Sequence, residues 1–143
     1  MKDARRLVTV VMAVLLGLVP LAAQINVAPG RTGALTATNT SCTATACVSM
    51  PVTSMTGAVA IQISGTFTAT VTFEVTVDAT NWVAAAVVPI GATRTLTTTA
   101  TAAGSWQINV AGLKGVRARC SAFTSGTINV SITASEGTPG IGS

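Results

Sequence analysis

Few residues of this chain have side chains suited to chemistry. Beyond the N-terminal leader the carboxylates are Glu74, Asp78 and Glu136, and there is no histidine anywhere. The usual base of a nucleophilic triad is therefore missing. Glu74 and Asp78 lie four residues apart in a stretch that alternates like a strand, which spaces them by about 13 Å. A retaining glycosidase needs its carboxylates about 5–5.5 Å apart and an inverting one about 6.5–9.5 Å. The pair fits neither, so Glu74 is expected on a solvated strand face and Asp78 in a turn. Cys42, Cys47 and Cys120 have no histidine to join them and do not make a tetrahedral metal site. No glycine-rich loop joins a strand to a helix, so nucleotide binding has no support. The expectation is a protein that is not an enzyme and holds no cofactor and no metal.

Binding chemistry is better represented. Arg117 and Arg119 alternate on one stretch, with Lys114 in the turn before them. Such a trio suits the anionic groups of acidic glycans or lipopolysaccharide, and equally suits ordinary solubility and the protection of a sheet edge. Trp82 follows the turn residues Asp78 and Asn81 and is placed to offer a platform to a sugar ring. Trp106 shares parity with Ile108 and Val110 and is expected in the core. Nucleic acid is not an expected partner. After the leader, five basic residues face three acidic ones, aromatics are 3% and tyrosine is absent. A nucleic-acid surface needs a denser basic footprint and stacking rings.

The leader itself is informative. MKDARR is followed by an apolar run from Leu7 to Val19, then Pro20 and small residues. This is the layout of a secretory signal, expected to form a helix and to be cleaved near Ala23. Its apolar run is shorter than the roughly 20 residues that span a membrane, so membrane contact is expected only through an uncleaved leader. Charged residues are 8% of the chain, against about 25% in ordinary globular proteins. Thr, Ser, Ala and Gly fill the gap, as suits a secreted β-protein, extracellular or periplasmic. In such an oxidising compartment Cys42 and Cys47 could close a small loop worth roughly 2 kcal/mol, or stand as free thiols. Cys120 shares parity with Val116 and Ala118 and is expected to point inward.

The elements that must position these residues are strands. In TFTATVTFEVTVD, alternation puts Phe67, Val71, Phe73, Val75 and Val77 on the core side and a threonine row outside. That row suits plain solvent exposure, a flat array for an ordered surface, or a subunit contact. Similar alternation marks a short edge strand from Cys47 to Val52 and strands over 58–64, 82–88, 93–99, 105–110, 116–123 and 127–134. Gly, Pro, Asn and Asp separate them. The pattern predicts an all-β, antiparallel β-sandwich, jelly-roll or immunoglobulin-like, of about eight strands. The expected organisation is a signal peptide at 1–23, an extended arm and loop at 24–45, the sandwich at 46–136 and a flexible tail at 137–143.

Several of these stretches resemble a known group. Phe73-Glu74 in its strand, the D-x-x-N-W turn from Asp78 to Trp82, V-A-G-L-K from Val110 to Lys114 and T-S-G from Thr124 to Gly126 are similar to small β-sandwich proteins of tailed phages and prophages. Ala79 stands where a glycine is expected after the aspartate. The resemblance spans about Gly57 to Ser135 and implies a virion- or tail-associated module. Phage particles assemble in the cytoplasm, so the leader implies a host-secreted or domesticated relative. The expected function is surface binding or structure, with a glycan or envelope polymer as partner through Trp82, Asn81, Asp78, Lys114, Arg117 and Arg119. The alternative is self-association into a filament or coat, with the arm adding a strand to a neighbour.

Overall fold

The computed structural model describes residues 30–40, 42–91 and 94–136. The signal segment, the first residues of the arm and the tail after residue 136 lie outside the described residues. Stretches rich in β-branched residues and punctuated by Gly, Pro and Asx pair into strands rather than coil into helices. The strands are β1 (Gly30–Leu35), β2 (Cys47–Pro51), β3 (Thr56–Ser64), β4 (Phe67–Thr76), β5 (Val83–Ala84), β6 (Val88–Pro89), β7 (Thr99–Ala100), β8 (Gly104–Asn109), β9 (Gly115–Gly126) and β10 (Ile128–Glu136). Three of the ten, β5, β6 and β7, are only two residues long. The two strands beyond the expected eight are β1, from the arm, and the second of the pair β5 and β6 into which the stretch 82–88 divides.

Two sheets result. Sheet A runs β1-β10-β3-β8-β6, and sheet B runs β2-β9-β4-β5, with β7 also pairing β4. Every pairing is antiparallel. The sheets bury their apolar faces against each other as a β-sandwich. Sheet A contributes Val59, Ile61 and Ile63 from β3 and Ile128, Val130 and Ile132 from β10; sheet B contributes Val71, Phe73, Val116 and Ala118. Each such large side chain, fully buried, contributes about 1.5–3 kcal/mol. Trp106 of β8 meets Phe73 of β4 with ring centroids 5.2 Å apart and planes tilted by 48°, tying the sheets together. Gly104 makes room for that indole: a Cβ there would lie 2.8 Å from the ring. The sheet domain is expected from residue 46; among the described residues strand pairing is already present at Gly30, since β1 pairs with β10 of its own chain.

The structure departs from simple alternation at four places. Val77 is not a core residue: it is 64% exposed, while Thr76, expected outside, is 2% exposed. The cause is that β4 ends at Thr76, where the chain turns away with Ala79 at φ +67°. The stretch 82–88 is two strands, not one. β5 pairs β4 in sheet B and β6 pairs β8 in sheet A, because Val87 dives into the core between them. Among the described residues of the stretch 93–99 only Thr99 belongs to a strand, with a single bridge from Thr97 to Val87 before it. Thr124 to Gly126 are the end of β9 rather than a hairpin turn, and the chain crosses at Thr127 from β9 in sheet B to β10 in sheet A. Gly126 sits there at φ +95°, and a Cβ on it would lie 2.2 Å from the Thr66 carbonyl oxygen.

Candidate functional site

On the outer face of sheet B, β9 lies between β2 and β4. The register sets Arg117 opposite Glu74 and Arg119 opposite Thr72. Arginines two apart on a strand share a face, so both reach the same carboxylate. Arg117 Nε donates to Glu74 Oε2 at 2.5 Å, and Arg119 Nε and Nη2 donate to Oε1 at 3.0 and 2.7 Å. Glu74 is only 6% exposed, so the expectation of a solvated acid is corrected: it is the buried hub of an ion triad. Burial by itself would raise its carboxyl pKa. The hydrogen bonds from Arg119 and Arg117, with their charges, outweigh burial and hold it below the ordinary value. The bond to Glu74 in turn raises Arg119. Two guanidinium groups against one carboxylate leave a single positive charge.

Trp82 completes the cluster. The guanidinium carbon of Arg117 lies 4.4 Å from the centroid of its ring, a cation–π contact worth roughly 0.5–2 kcal/mol. The indole rests against Gly115 of β9, where a Cβ would come within 2.9 Å of it. The half-buried Trp82 thus keeps one side on the sheet.

Asp78 and Asn81 do a different job. Asp78 Oδ1 accepts from the Thr80 and Asn81 amides at 2.8 and 2.7 Å and from the Thr76 hydroxyl at 2.9 Å. Its Oδ2 accepts from Asn81 Nδ2 at 2.6 Å. Led by the bond from the Asn81 amide, these donors hold its carboxyl far below the usual carboxylate range. The pair therefore organises the turn that presents Trp82. Lys114 is exposed, and its backbone amide donates to the Thr76 carbonyl while its carbonyl accepts from Val52.

The expected threonine row does not form an open array. Thr76 is buried in the turn network, and Thr72 donates to the Ser121 hydroxyl at 2.9 Å. Cys42 and Cys47 are joined in a disulfide with Cα atoms 5.0 Å apart, which is compatible with an oxidising compartment. Just before that loop, Asn39 O accepts from Arg119 Nη1 at 3.5 Å. Cys120 points inward, fully buried, and burial raises its thiol pKa. The structure thus brings Trp82, Arg117 and Arg119 together through Glu74, places Asp78 and Asn81 beside them, and leaves Lys114 in the adjoining turn. The hub was the residue that sequence reasoning missed. Its only signal is a lone acid in a threonine strand and an R-x-R pair more than forty positions away, joined once the strand order is known.

A carboxylate held ionised by two guanidinium groups is a weak base and a poor nucleophile. What this arrangement offers to a partner is an indole edge with one uncompensated positive charge. Neither a protein-family model nor the sequence of a curated protein matches the chain. A solved structure shares the fold. It is the crystal structure of the SPBc2 prophage-derived protein YomS, which aligns with a TM-score of 0.58 at 17% sequence identity, over 78% of this chain and 97% of that one. At that identity the likeness is one of fold. It agrees at that level with the phage resemblance of the D-x-x-N-W and V-A-G-L-K stretches, and nearly all of YomS is covered by it.

Proposed function

We propose that this chain is an exported, non-enzymatic β-sandwich module for surface binding or structure, of the kind found among phage virion- and tail-associated proteins. The observation that carries the reading is how the reactive side chains are engaged. Glu74 is clamped by two arginines, Asp78 is wired into its own turn, and the Cys120 thiol is sealed in the core. Function then falls to surfaces, and on sheet B that surface is Trp82 with the residual positive charge of Arg117 and Arg119. Its complement is a glycan or cell-envelope polymer that carries some negative charge. The secretory leader and the Cys42–Cys47 disulfide support an address outside the cytoplasm. The fold shared with a prophage-derived protein supports the phage-like origin.

The test is co-sedimentation of the purified chain with isolated bacterial envelope fractions. The module reading expects retention that falls several-fold in Trp82→Ala and in Arg117→Ala, with both variants still folded. Absence of retention on every fraction would count against it. The assembly alternative instead expects concentration-dependent polymers that vanish when residues 24–39 are deleted. The pairing of β1 within its own chain favours the module, because it leaves a shorter arm to lend to a neighbour.

A further inference from the structure

The outer face of sheet A has a chemistry unlike that of the arginine cluster. The register lines up Thr32, Ser131, Gln62 and Ser105 in one row across β1, β10, β3 and β8. Asn129 and Ser64 form the row on one side, and Thr133, Ala60 and Gln107 the row on the other. None of these residues is charged. Three hollows lie on this face; one of about 510 Å³, toward β6, is walled by Ala58, Val88, Pro89, Gln107, Asn109 and Arg94, and two lie toward β1. Of these two, one of about 350 Å³ is walled by Thr32, Gln62, Ser64, Asn129 and Ser131. The other, of about 230 Å³, is walled by Ala60, Gln62, Ser105, Ser131 and Thr133, with Ile90 at its far side. Gln62 and Ser131 line both, so the two form one groove that crosses the strands from the β1 edge of the sheet to β8. Among the described residues, the side chains of Gln62, Asn129 and Ser131 bond to no other protein group.

We propose that this groove binds a stretch of an uncharged, hydroxyl-rich polymer, that is, a neutral polysaccharide. The proposal rests on the binding-module reading and gives it a second surface. Three features select that ligand class. The two hollows toward β1 have no charged residue in their walls, and the hollow that holds Arg94 meets them only at Ile90, so a charged ligand seated in them would be desolvated without a counter-charge, which is costly. The amides of Gln62 and Asn129 each offer a donor and an acceptor, and the hydroxyls of Ser131 and Thr32 offer both as well; sugar hydroxyls have the same dual character. A groove that reaches the sheet edge accepts a segment of a long chain rather than only a compact molecule. A protein partner fits less well, because interfaces draw most of their energy from buried Trp, Tyr and Arg anchors, and the groove walls contain none.

The test is titration of the full chain with neutral linear hexasaccharides, namely cello-, malto-, laminari- and mannohexaose, with an oligogalacturonate as the acidic comparator. Two variants probe the groove: Ser131→Arg, which puts a long cation where the hollows join, and the milder double change Gln62→Ala with Asn129→Ala. The expected result is saturable binding of at least one neutral hexasaccharide. Ser131→Arg should weaken it by at least about tenfold, as expected for lost hydrogen bonds in a blocked site. The double variant should weaken it several-fold, and Met55→Ala, at an exposed position outside both surfaces, should leave it unchanged. The groove assignment is overturned if no neutral hexasaccharide saturates the protein, if the acidic one binds more tightly, or if Ser131→Arg and the double variant both bind normally. Loss of binding in Trp82→Ala alone would sink the groove and leave the module standing. Self-association abolished by Ser131→Arg would assign the face to a second copy of the chain.

Discussion

Glu74 decides how the outer face of sheet B is built. A buried carboxylate between two arginines is stable only while all three keep their partners. Glu74→Gln removes the shared negative charge, turns one acceptor oxygen into a donor and leaves two guanidinium groups crowded on one strand. We expect a loss of about 2–4 kcal/mol in urea unfolding at neutral pH, below the cost of breaking a fully buried pair because the arginine heads reach solvent. The acid limb gives a second check. An unfolded glutamate titrates at about 4.3, and Glu74 titrates lower when folded. Its stabilising contribution is therefore complete above that unfolded value and is lost as pH falls through the lower folded one. The urea midpoint should be flat above about pH 5 and fall below about pH 4.5, and the fall should be shallower in Glu74→Gln. Asp78, also depressed, accounts for part of the remaining slope. Ala79 offers the opposite sign. It holds φ +67°, a left-handed conformation that costs an L-residue roughly 1–2 kcal/mol. Glycine relieves that strain but loses more entropy on folding, so Ala79→Gly should stabilise by roughly 0.5–1 kcal/mol, read as a rise in melting temperature. The sequence marked this position as one where glycine was expected. It did not mark Glu74, because partners more than forty residues away appear only when β4 and β9 are paired.

At the scale of the element, period-two alternation was sufficient for β2, β3, β8 and β10, whose apolar faces are continuous and whose ends carry Gly, Pro or Asx. It failed where the chain changes sheets. Nothing in residues 82–88 marks Val87 as the point where the chain leaves sheet B for sheet A, because a valine suits either sheet. The T-S-G stretch reads as a hairpin, yet it ends β9 and the chain crosses between sheets just after it, at Thr127, so geometry rather than composition fixes Gly126. Gly126→Ala would press a Cβ into the Thr66 carbonyl at positive φ. We expect at least about 2 kcal/mol of destabilisation, by chemical denaturation. The disulfide loop before β2 is an element of its own. Its closure narrows the unfolded ensemble by roughly 2 kcal/mol. Cys42→Ser with Cys47→Ser should lower stability by about that amount while the β-sheet circular dichroism is kept, since neither cysteine belongs to the apolar cluster between the sheets.

Across the whole molecule, the charged groups are divided unequally between the two outer faces. Sheet B and its adjoining turns carry Glu74, Asp78, Lys114, Arg117 and Arg119, whereas sheet A has Arg31 and Glu136 near the ends of β1 and β10 and Arg94 beside β6, with hydroxyls and amides in the rows between. In the function proposed above, the first face meets a partner with some negative charge and the second an uncharged one. The all-β class and the sandwich follow from composition and alternation. The division of chemistry between faces does not, because it depends on which strands share a sheet. In the function proposed above, the chain is an exported, discrete module rather than a polymerising subunit. The most direct test is the mass of the protein recovered from an exporting bacterial host, by intact-mass spectrometry coupled to light scattering. The expected result is a chain cleaved near Ala23, lighter by the hydrogens lost in closing Cys42–Cys47, in a small particle of uniform size. A full-length chain with free thiols, or polymers that grow with concentration, would contradict it.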